Sequence, residues 1–423
     1  MSFQQGLSGL NAAAKNLDVI GNNVANSGTV GFKQGQTQFA DMYANSMNGS
    51  GASVVGIGVN VANVSQQFTQ GNVSSSGNPL DIAIKGNGFF CMVSNGVHTY
   101  GRNGQFELDN QGYIVNPSQG YARLTGYGTV LNATTGLPIP DGSPGTELKV
   151  DTTDIAPKAT TGATMNLALD SRSPALDPLS FNRDDPTTYT WSTSLPVYDS
   201  LGNSHSLRTY YVKTDDNEWS VFAADENGNA VDFLPGPTSS ASLTFGTNGA
   251  LDPDTATPPF KTQRTVSMAI GGGAATPLSV NIDFYPSTQY GSPSGVNAAT
   301  QNGYASGRLS GFNISPDGSL LGKYTNGQSR LLGQVTLTTF ANPNGLQPLG
   351  NSLWIDSAAS GPALTGAPNT GNLGVLQSHA TEDSNVDLTA ELVNMITAQR
   401  AYQANAQTIK TQDQMMQTLV NLR

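Results

Sequence analysis

A single cysteine, Cys91, stands in 423 residues, so no disulfide can form within the chain and no thiolate cluster can hold zinc. Its neighbours in "GFFCMV" are apolar, the setting of a buried strand residue and not of a reactive thiol. Charge is also scarce. Charged residues make up 12% of the chain, the net charge is -11, and no basic run exists that could neutralise a phosphate backbone, which excludes nucleic acid as a partner. No stretch of about eighteen apolar residues is present for a membrane span, so no membrane insertion is expected. The start, "MSFQQGLSGLNAAAK", lacks the basic region and long apolar core of a cleaved signal peptide, which by ordinary rules points to a cytosolic chain.

What is abundant is the vocabulary of turns. Forty-eight glycines and 23 prolines are scattered without a repeat, which predicts short strands and many turns in more than one domain. The two ends differ from everything between them. Phe3, Leu7, Leu10, Ala14, Leu17, Gly21 and Val24 alternate spacings of four and three, one stripe of a helix about 33 Å long. At the other end Leu388, Met395, Tyr402, Ile409 and Met416 recur every seven residues behind the candidate caps Ser384, Asn385 and Asp387. Leu392, Ala406, Leu419 and Val420 widen this second stripe, while Gln399, Asn405, Gln412 and Asp413 weaken it. A partly polar seam suits contacts made in an assembly better than a deep core. The plainer alternative is that both helices pack onto a β domain of their own chain. Against it, the stretch from Gln34 to Ser76 is small, polar and glycine-rich, and predicts an extended arm over residues 34–70.

Between the ends the pattern alternates with period two. "PLDIAIKGNGFFCMV" and "YGRNGQFELDNQGYIVN" predict hairpins; "YTWSTSLPVYDSLGNSHSLRTYYVK", "EWSVFAADENGNAVDF" and "LSVNIDFYP" predict a second β region over 151–299. A third set of strands surrounds Asp317-Gly318 and Asn326-Gly327. Chemistry-bearing clusters are few. "DSLGNSH" brings Asp199, Ser200, Ser204 and His205 together, but turn chemistry accounts for all four without a nucleophile elbow or an oxyanion site. "DENGN" and "SPDGS" lack the ligand spacing and distal glutamate of a calcium loop and read as β-turns. His98 and His379 stand alone, and no cofactor, metal or catalytic residue is called for.

"NLDVIGNNVANSGTVGFK" near the start and "SNVDLTAELVNMITAQRAYQANAQTIKT" near the end together resemble the paired terminal signatures of bacterial flagellar rod and hook proteins. "NPLDIAIKGNGFF" and "GQFELDNQGYIVN" resemble the β domain of that family. "LPVYDSLGNSHSLRTYYVK" and "YTNGQSRLLGQVTLTTFANPNGLQPLGNSLW" are similar to its hook-type members, which carry a large central insertion that rod proteins lack. The chain departs from the family pattern at Gly101, where threonine is usual, and at "SHATEDS" before Asn385. The resemblance implies a mainly β fold with α-helical termini and nested β domains, the two termini forming an inner coiled-coil-like layer. Its implied segments are 1–33 (inner helix and turn), 34–70 (linker arm), 71–150 and 300–376 (inner β domain), 151–299 (inserted outer β domain) and 377–423 (inner helix). It also implies a non-enzymatic subunit of a curved, flexible homo-polymer that transmits torque. Rod, cap and hook-filament junction proteins would be its neighbours, and the flagellar type III apparatus its export route, without a cleaved signal. Asn22, Asn23 and Asn26 would close the first helix, Gly28 and Gly31 would turn the chain, and Phe32 would pin it with Lys33 solvated alongside. A distal rod protein, or a secreted β-rich enzyme or adhesin, remains open as an alternative.

Overall fold

The computed structural model describes residues 2–42, 56–131, 138–142, 145–234, 240–252 and 262–421. The chain divides into two units: residues 1–152 with 310–323 and 329–423, and residues 153–309 with 324–328.

In the first unit, helix α1 (Ser2–Ala25) and helix α2 (Leu388–Asn421) pack against each other. Neither is long and apolar enough to cross a membrane, and the same holds for every helix among the described residues. The contact uses small residues. A Cβ added at Gly6 would lie 3.1 Å from Ile409 Cγ1, and one at Gly9 would lie 2.9 Å from the Asn405 amide, so both glycines permit the close approach of the two axes. Along α1 the buried positions are Gly6, Ala12, Ala13, Ile20 and Asn23. The large apolar stripe of the sequence analysis lies about one residue, or 100°, around the helix from Gly6, Gly9, Ala13, Ile20 and Asn23.

The predicted arm at 34–70 is instead a hairpin. Strand β1 (Gly35–Met42) pairs antiparallel with β2 (Gly58–Gln66), Gly35 opposite Gln66, with a bulge between Gln38 and Phe39. Residues 43–55 of that arm lie outside the described residues. A lone two-stranded ribbon is marginal in water. This one leans on α1, where Gln5 Nε2 donates to Gly56 O at 2.5 Å and Val59 N donates to Ser8 Oγ at 3.3 Å.

Beside two-stranded ribbons, the unit holds a larger sheet whose path includes Ser329–Val335, Ala122–Tyr127, Phe89–Ser94, Val97–Gly101, Leu353–Ile355 and Gln347–Gly350. Phe89, Cys91, Tyr100, Phe340, Leu346 and Trp354 form one core cluster. Its rings meet edge to face, Tyr100 on Phe340 at 4.8 Å and Phe68 on Phe89 at 5.3 Å, the geometry aromatic quadrupoles favour. Cys91 is buried there, which pushes its thiol pKa up, as its apolar neighbours foretell. The segment expected to open the last helix at 377 is strand first. Val375–Ser378 pairs with Ile82–Lys85 and Ala380–Glu382 pairs with Val73–Ser75, so the helix starts only at Leu388. There Asp387 Oδ1 accepts from Thr389 N and Ala390 N, the N-cap that its position predicts.

The second unit is a ten-stranded mixed sheet. In Gly162–Asp170 the alternate residues Ala163, Met165, Leu167 and Leu169 point into a core with Tyr211, Trp219, Val280, Ile282 and Phe284. Trp219 Nε1 donates to Gln289 Oε1 at 2.6 Å, which satisfies the one polar atom of that buried indole. The predicted limit at residue 299 falls short. Gly295–Gln301 pairs with Gly162–Asp170, and bridges join Ile155 to Gly307 and Lys158 to Tyr304, so the unit extends to 309.

Candidate functional site at the helix junction

Helix α1 ends where the asparagines begin. The Asn22 carbonyl, one of the last-turn acceptors that a helix leaves without a partner, receives Asn26 N at 3.1 Å and Asn26 Nδ2 at 2.9 Å. Asn23 is buried and reaches across the turn: its Nδ2 donates to Gly35 O at 2.8 Å and its Oδ1 accepts from Gly35 N at 2.9 Å. The side chain thus pairs with the root of the hairpin as a neighbouring strand would. Asn23 Nδ2 also lies 3.3 Å from Glu391 Oε2, and Gln34 Nε2 donates to Glu391 Oε1 at 2.7 Å. Asn385 Oδ1 accepts from Gln34 N at 2.8 Å while its Nδ2 donates to Gln67 O at 2.7 Å. The two ends of the chain, more than 350 residues apart in sequence, are stitched at one place.

The two glycines of the junction motif differ. Gly31 has φ +72, and an added Cβ would lie 2.5 Å from Asn103 N, so the backbone conformation and the close packing both require glycine. Gly28 has neither restriction, and nothing lies within 4 Å of a Cβ there. Phe32 is half-buried.

Lys33 is not solvated, contrary to the sequence expectation. Its Nζ donates to Glu382 Oε1 at 2.7 Å and to Thr69 O at 2.8 Å, with both side chains of the ion pair fully shielded. Glu382 Oε2 lies 3.2 Å from Arg102 Nη1, Glu382 Oε1 accepts from Gly71 N at 2.9 Å, and Arg102 Nη2 donates to Gly86 O at 2.9 Å. One carboxylate therefore holds two buried cations. Burial pushes the Lys33 ammonium below its ordinary pKa, Glu382 resists this, and Arg102 adds to it. Burial likewise lowers Arg102 against the pull of Glu382. Sequence reasoning missed this triad because its members lie 280 and 349 residues apart from Glu382. Glu382 sits inside "SHATEDS", the stretch that departs from the family pattern.

Of the residues assigned to the first seam, Phe3 and Leu7 are exposed, while Leu10, Ala14, Leu17 and Val24 are half-buried. Of the second, Leu388, Leu392, Tyr402 and Met416 are exposed and Met395 is half-buried. Ile409 instead turns inward onto Gly6, and the side chain of Leu419 lies outside the described residues. Val393 and Ile396 join the exposed face of α2, although the heptad pattern does not single them out. A groove of about 1040 Å³ runs between α1, α2 and the hairpin, with Ala12, Asn16, Gln36, Thr397 and Ala401 among its walls.

In the second unit the "DSLGNSH" cluster is a turn. Asp199 Oδ1 accepts from Leu201 N and Asn203 N, and His205 places Nε2 3.2 Å from Asp199 and Nδ1 3.0 Å from Glu226. Both ring nitrogens face carboxylates, so neither is placed to take a serine proton.

Four stretches of the chain match flagellar families in chain order. Residues 3–33 match the flagella basal body rod protein, 83–154 the flagellar hook protein FlgE/F/G D1 domain, 166–304 the flagellar basal body protein FlaE D2 domain, and 377–422 the flagellar basal body rod FlgEFG protein C-terminal region. The flagellar hook protein FlgE of Salmonella typhimurium is 45% identical over 428 residues, covering 100% of both chains. The chain belongs to the flagellar hook protein FlgE family. FlgE of Escherichia coli is likewise 45% identical over both full lengths, and FlgE of Borreliella burgdorferi is 31% identical over 100% of this chain and 99% of its own. The crystal structure of Helicobacter pylori flagellar hook protein FlgE2 aligns with a TM-score of 0.51 over 73% of this chain and 100% of that one, at 13% identity, a likeness of fold. FlgE membership makes this a flagellar protein and bears out the mainly β fold with helical ends.

Proposed function

We propose that the chain polymerises with copies of itself into the flagellar hook, a curved tube that carries motor torque from rod to filament and bends as it turns. The observation that carries this reading is the outer face of the terminal helices. Within one chain α1 and α2 pair through Gly6, Gly9, Asn405 and Ile409, while Phe3, Leu7, Leu388, Leu392, Val393, Ile396 and Met416 stay in contact with water. An apolar stripe of this kind on a helix is a surface that a partner buries. The groove beside it offers the same unfilled space to a neighbouring subunit.

The seam residues proposed for assembly are Phe3, Leu7, Leu10, Ala14, Leu17 and Val24 on α1 and Leu388, Leu392, Met395, Tyr402 and Met416 on α2. Asn22, Asn23, Asn26 and Gly31, with the Lys33–Glu382–Arg102 triad, fix how the helices leave the β sheet. The role is mechanical and not enzymatic. Rod, hook cap and hook-filament junction proteins are the proposed neighbours, reached after export through the flagellar type III apparatus. Electron microscopy of the purified full-length protein at high concentration tests the reading: tubes support it, and a monomer that never assembles at any concentration or salt overturns it.

A further inference from the structure

Two turns of the second unit share one pattern and one geometry. In Asp199–Asn203 ("DSLGN") and in Asp225–Asn229 ("DENGN") the asparagine amide donates to the aspartate Oδ2, at 2.9 and 2.8 Å. In each, the asparagine N–H donates to Oδ1, at 2.9 and 2.6 Å, and the glycine N–H to the aspartate carbonyl, at 3.1 and 3.0 Å. Each turn is therefore closed by its own side chains. His205 stands between them, its Nε2 3.2 Å from Asp199 Oδ2 and its Nδ1 3.0 Å from Glu226 Oε1.

The first turn abuts the place where the chain enters and leaves this unit. A Cβ at Gly202 would lie 2.7 Å from Pro157 Cβ and 3.3 Å from Ala305 Cα, and the stem beside it is bridged by Ile155 to Gly307 and Lys158 to Tyr304. Among the described residues, the elements around the imidazole carry these charged groups. The strand paired with it, Trp191–Tyr198, carries no charged residue. The first turn brings Asp199, the second brings Asp225 and Glu226, Arg183 lies against Gly228, Arg208 lies on the histidine's own strand, and Lys158 is in the stem.

A neutral imidazole has one N–H, whereas ionised carboxylates only accept. Between two carboxylates it can satisfy one and must present a lone pair to the other; the imidazolium donates to both. We propose that His205 is a pH-operated clip: protonated, it fastens the 225–229 turn to the turn beside the stem, and neutral, it lets the 225–229 turn go. Release falls on that side because Asp199 is shielded and keeps its Leu201 and Asn203 donors, while the Glu226 side chain is 45% exposed and water can replace the histidine. Burial disfavours the charge on His205, but Glu226 and Asp199 outweigh it and hold the pKa above the ordinary 6.5. The clip's contribution is thus fully present below the unfolded value and is lost as pH rises through the folded one. None of this depends on polymerisation.

Hydrogen exchange of the full-length monomer, corrected for the chemical effect of pH, tests the clip on either side of the histidine range, at about pH 5 and about pH 8.5. The 225–229 amides should lose roughly tenfold protection at the higher pH, the effect of one charge-assisted hydrogen bond. His205→Gln and Glu226→Gln should each abolish the pH step. The surface position of Glu226 keeps the second variant informative if the first fails to fold. Equal wild-type protection at both pH values, or a step that persists in Glu226→Gln, overturns the proposal.

Discussion

Lys33 Nζ sits 2.7 Å from Glu382 Oε1, 349 residues away along the chain, with neither side chain in contact with water. The pair holds the exit of the first helix to the strand that precedes the second, and Arg102 binds the other carboxylate oxygen. Removing one partner of a buried pair leaves an uncompensated charge, a loss of about 3–5 kcal/mol. Glu382→Ala strands two cations, so chemical denaturation of the first unit should shift by at least that much. Joint replacement by Lys33→Met, Arg102→Met and Glu382→Leu should recover most of the loss, because apolar groups bear no desolvation penalty. An unaltered Glu382→Ala midpoint would refute the structural role of the triad.

The two junction glycines separate backbone need from mere habit. At Gly31→Ala the new Cβ meets Asn103 N in a left-handed conformation, and the loss should exceed about 1 kcal/mol. Gly28→Ala meets open space without a left-handed φ, so it should be neutral or stabilise by up to about 1 kcal/mol through the unfolded chain. Melting of the two variants side by side checks the pair; equal losses would contradict the assignment.

Acid sensitivity in the second unit should trace to Asp199. Burial raises its carboxyl, but donors from Asn203, His205 and Leu201 outweigh this and bring the pKa to about 2. A folded value below the ordinary 3.8 means that its stabilisation is complete above about pH 3.8 and fades as pH falls toward 2. Unfolding followed at pH 5 and at pH 2 should show this loss in the wild type and a smaller one in Asn203→Ala, which removes the side-chain donor. Equal acid losses in the two proteins would place the sensitivity elsewhere.

The β texture and the helical ends were legible because period two and period three-to-four are written locally in the chain. Asp387 as a cap and Asn26 as a closing residue were legible for the same reason: each acts within four residues of itself. The burial of Lys33 is not legible because its counter-charge arrives from the far end of the sequence, and isolated lysines are usually solvated. The hairpin at Gly35–Met42 and Gly58–Gln66 was hidden by composition: its small polar residues carry little alternation, and support comes from α1. Large apolar residues mark one face of α1 in the sequence, while the intrachain contact runs through Gly6 and Gly9, whose value is that they occupy little space.

That division of faces gives the test of assembly. Leu7 is 43% exposed in the single chain, so burying the remainder in a polymer would be worth somewhat under half of the roughly 1.5–3 kcal/mol of a whole leucine; Leu7→Asp forfeits that contact and adds the larger desolvation cost of a carboxylate. At about 1.4 kcal/mol per tenfold, the critical concentration for polymerisation should rise roughly tenfold to a hundredfold or more, while monomer melting stays the same. Ala13→Asp places a carboxylate at a buried position on the adjoining side of the same helix and should destabilise the monomer itself. Circular dichroism of the monomers and light scattering of polymerisation, run on the same preparations, separate the two effects. If Leu7→Asp melts the monomer as Ala13→Asp does, the outer stripe belongs to the chain's own packing and the assembly role assigned to it is wrong.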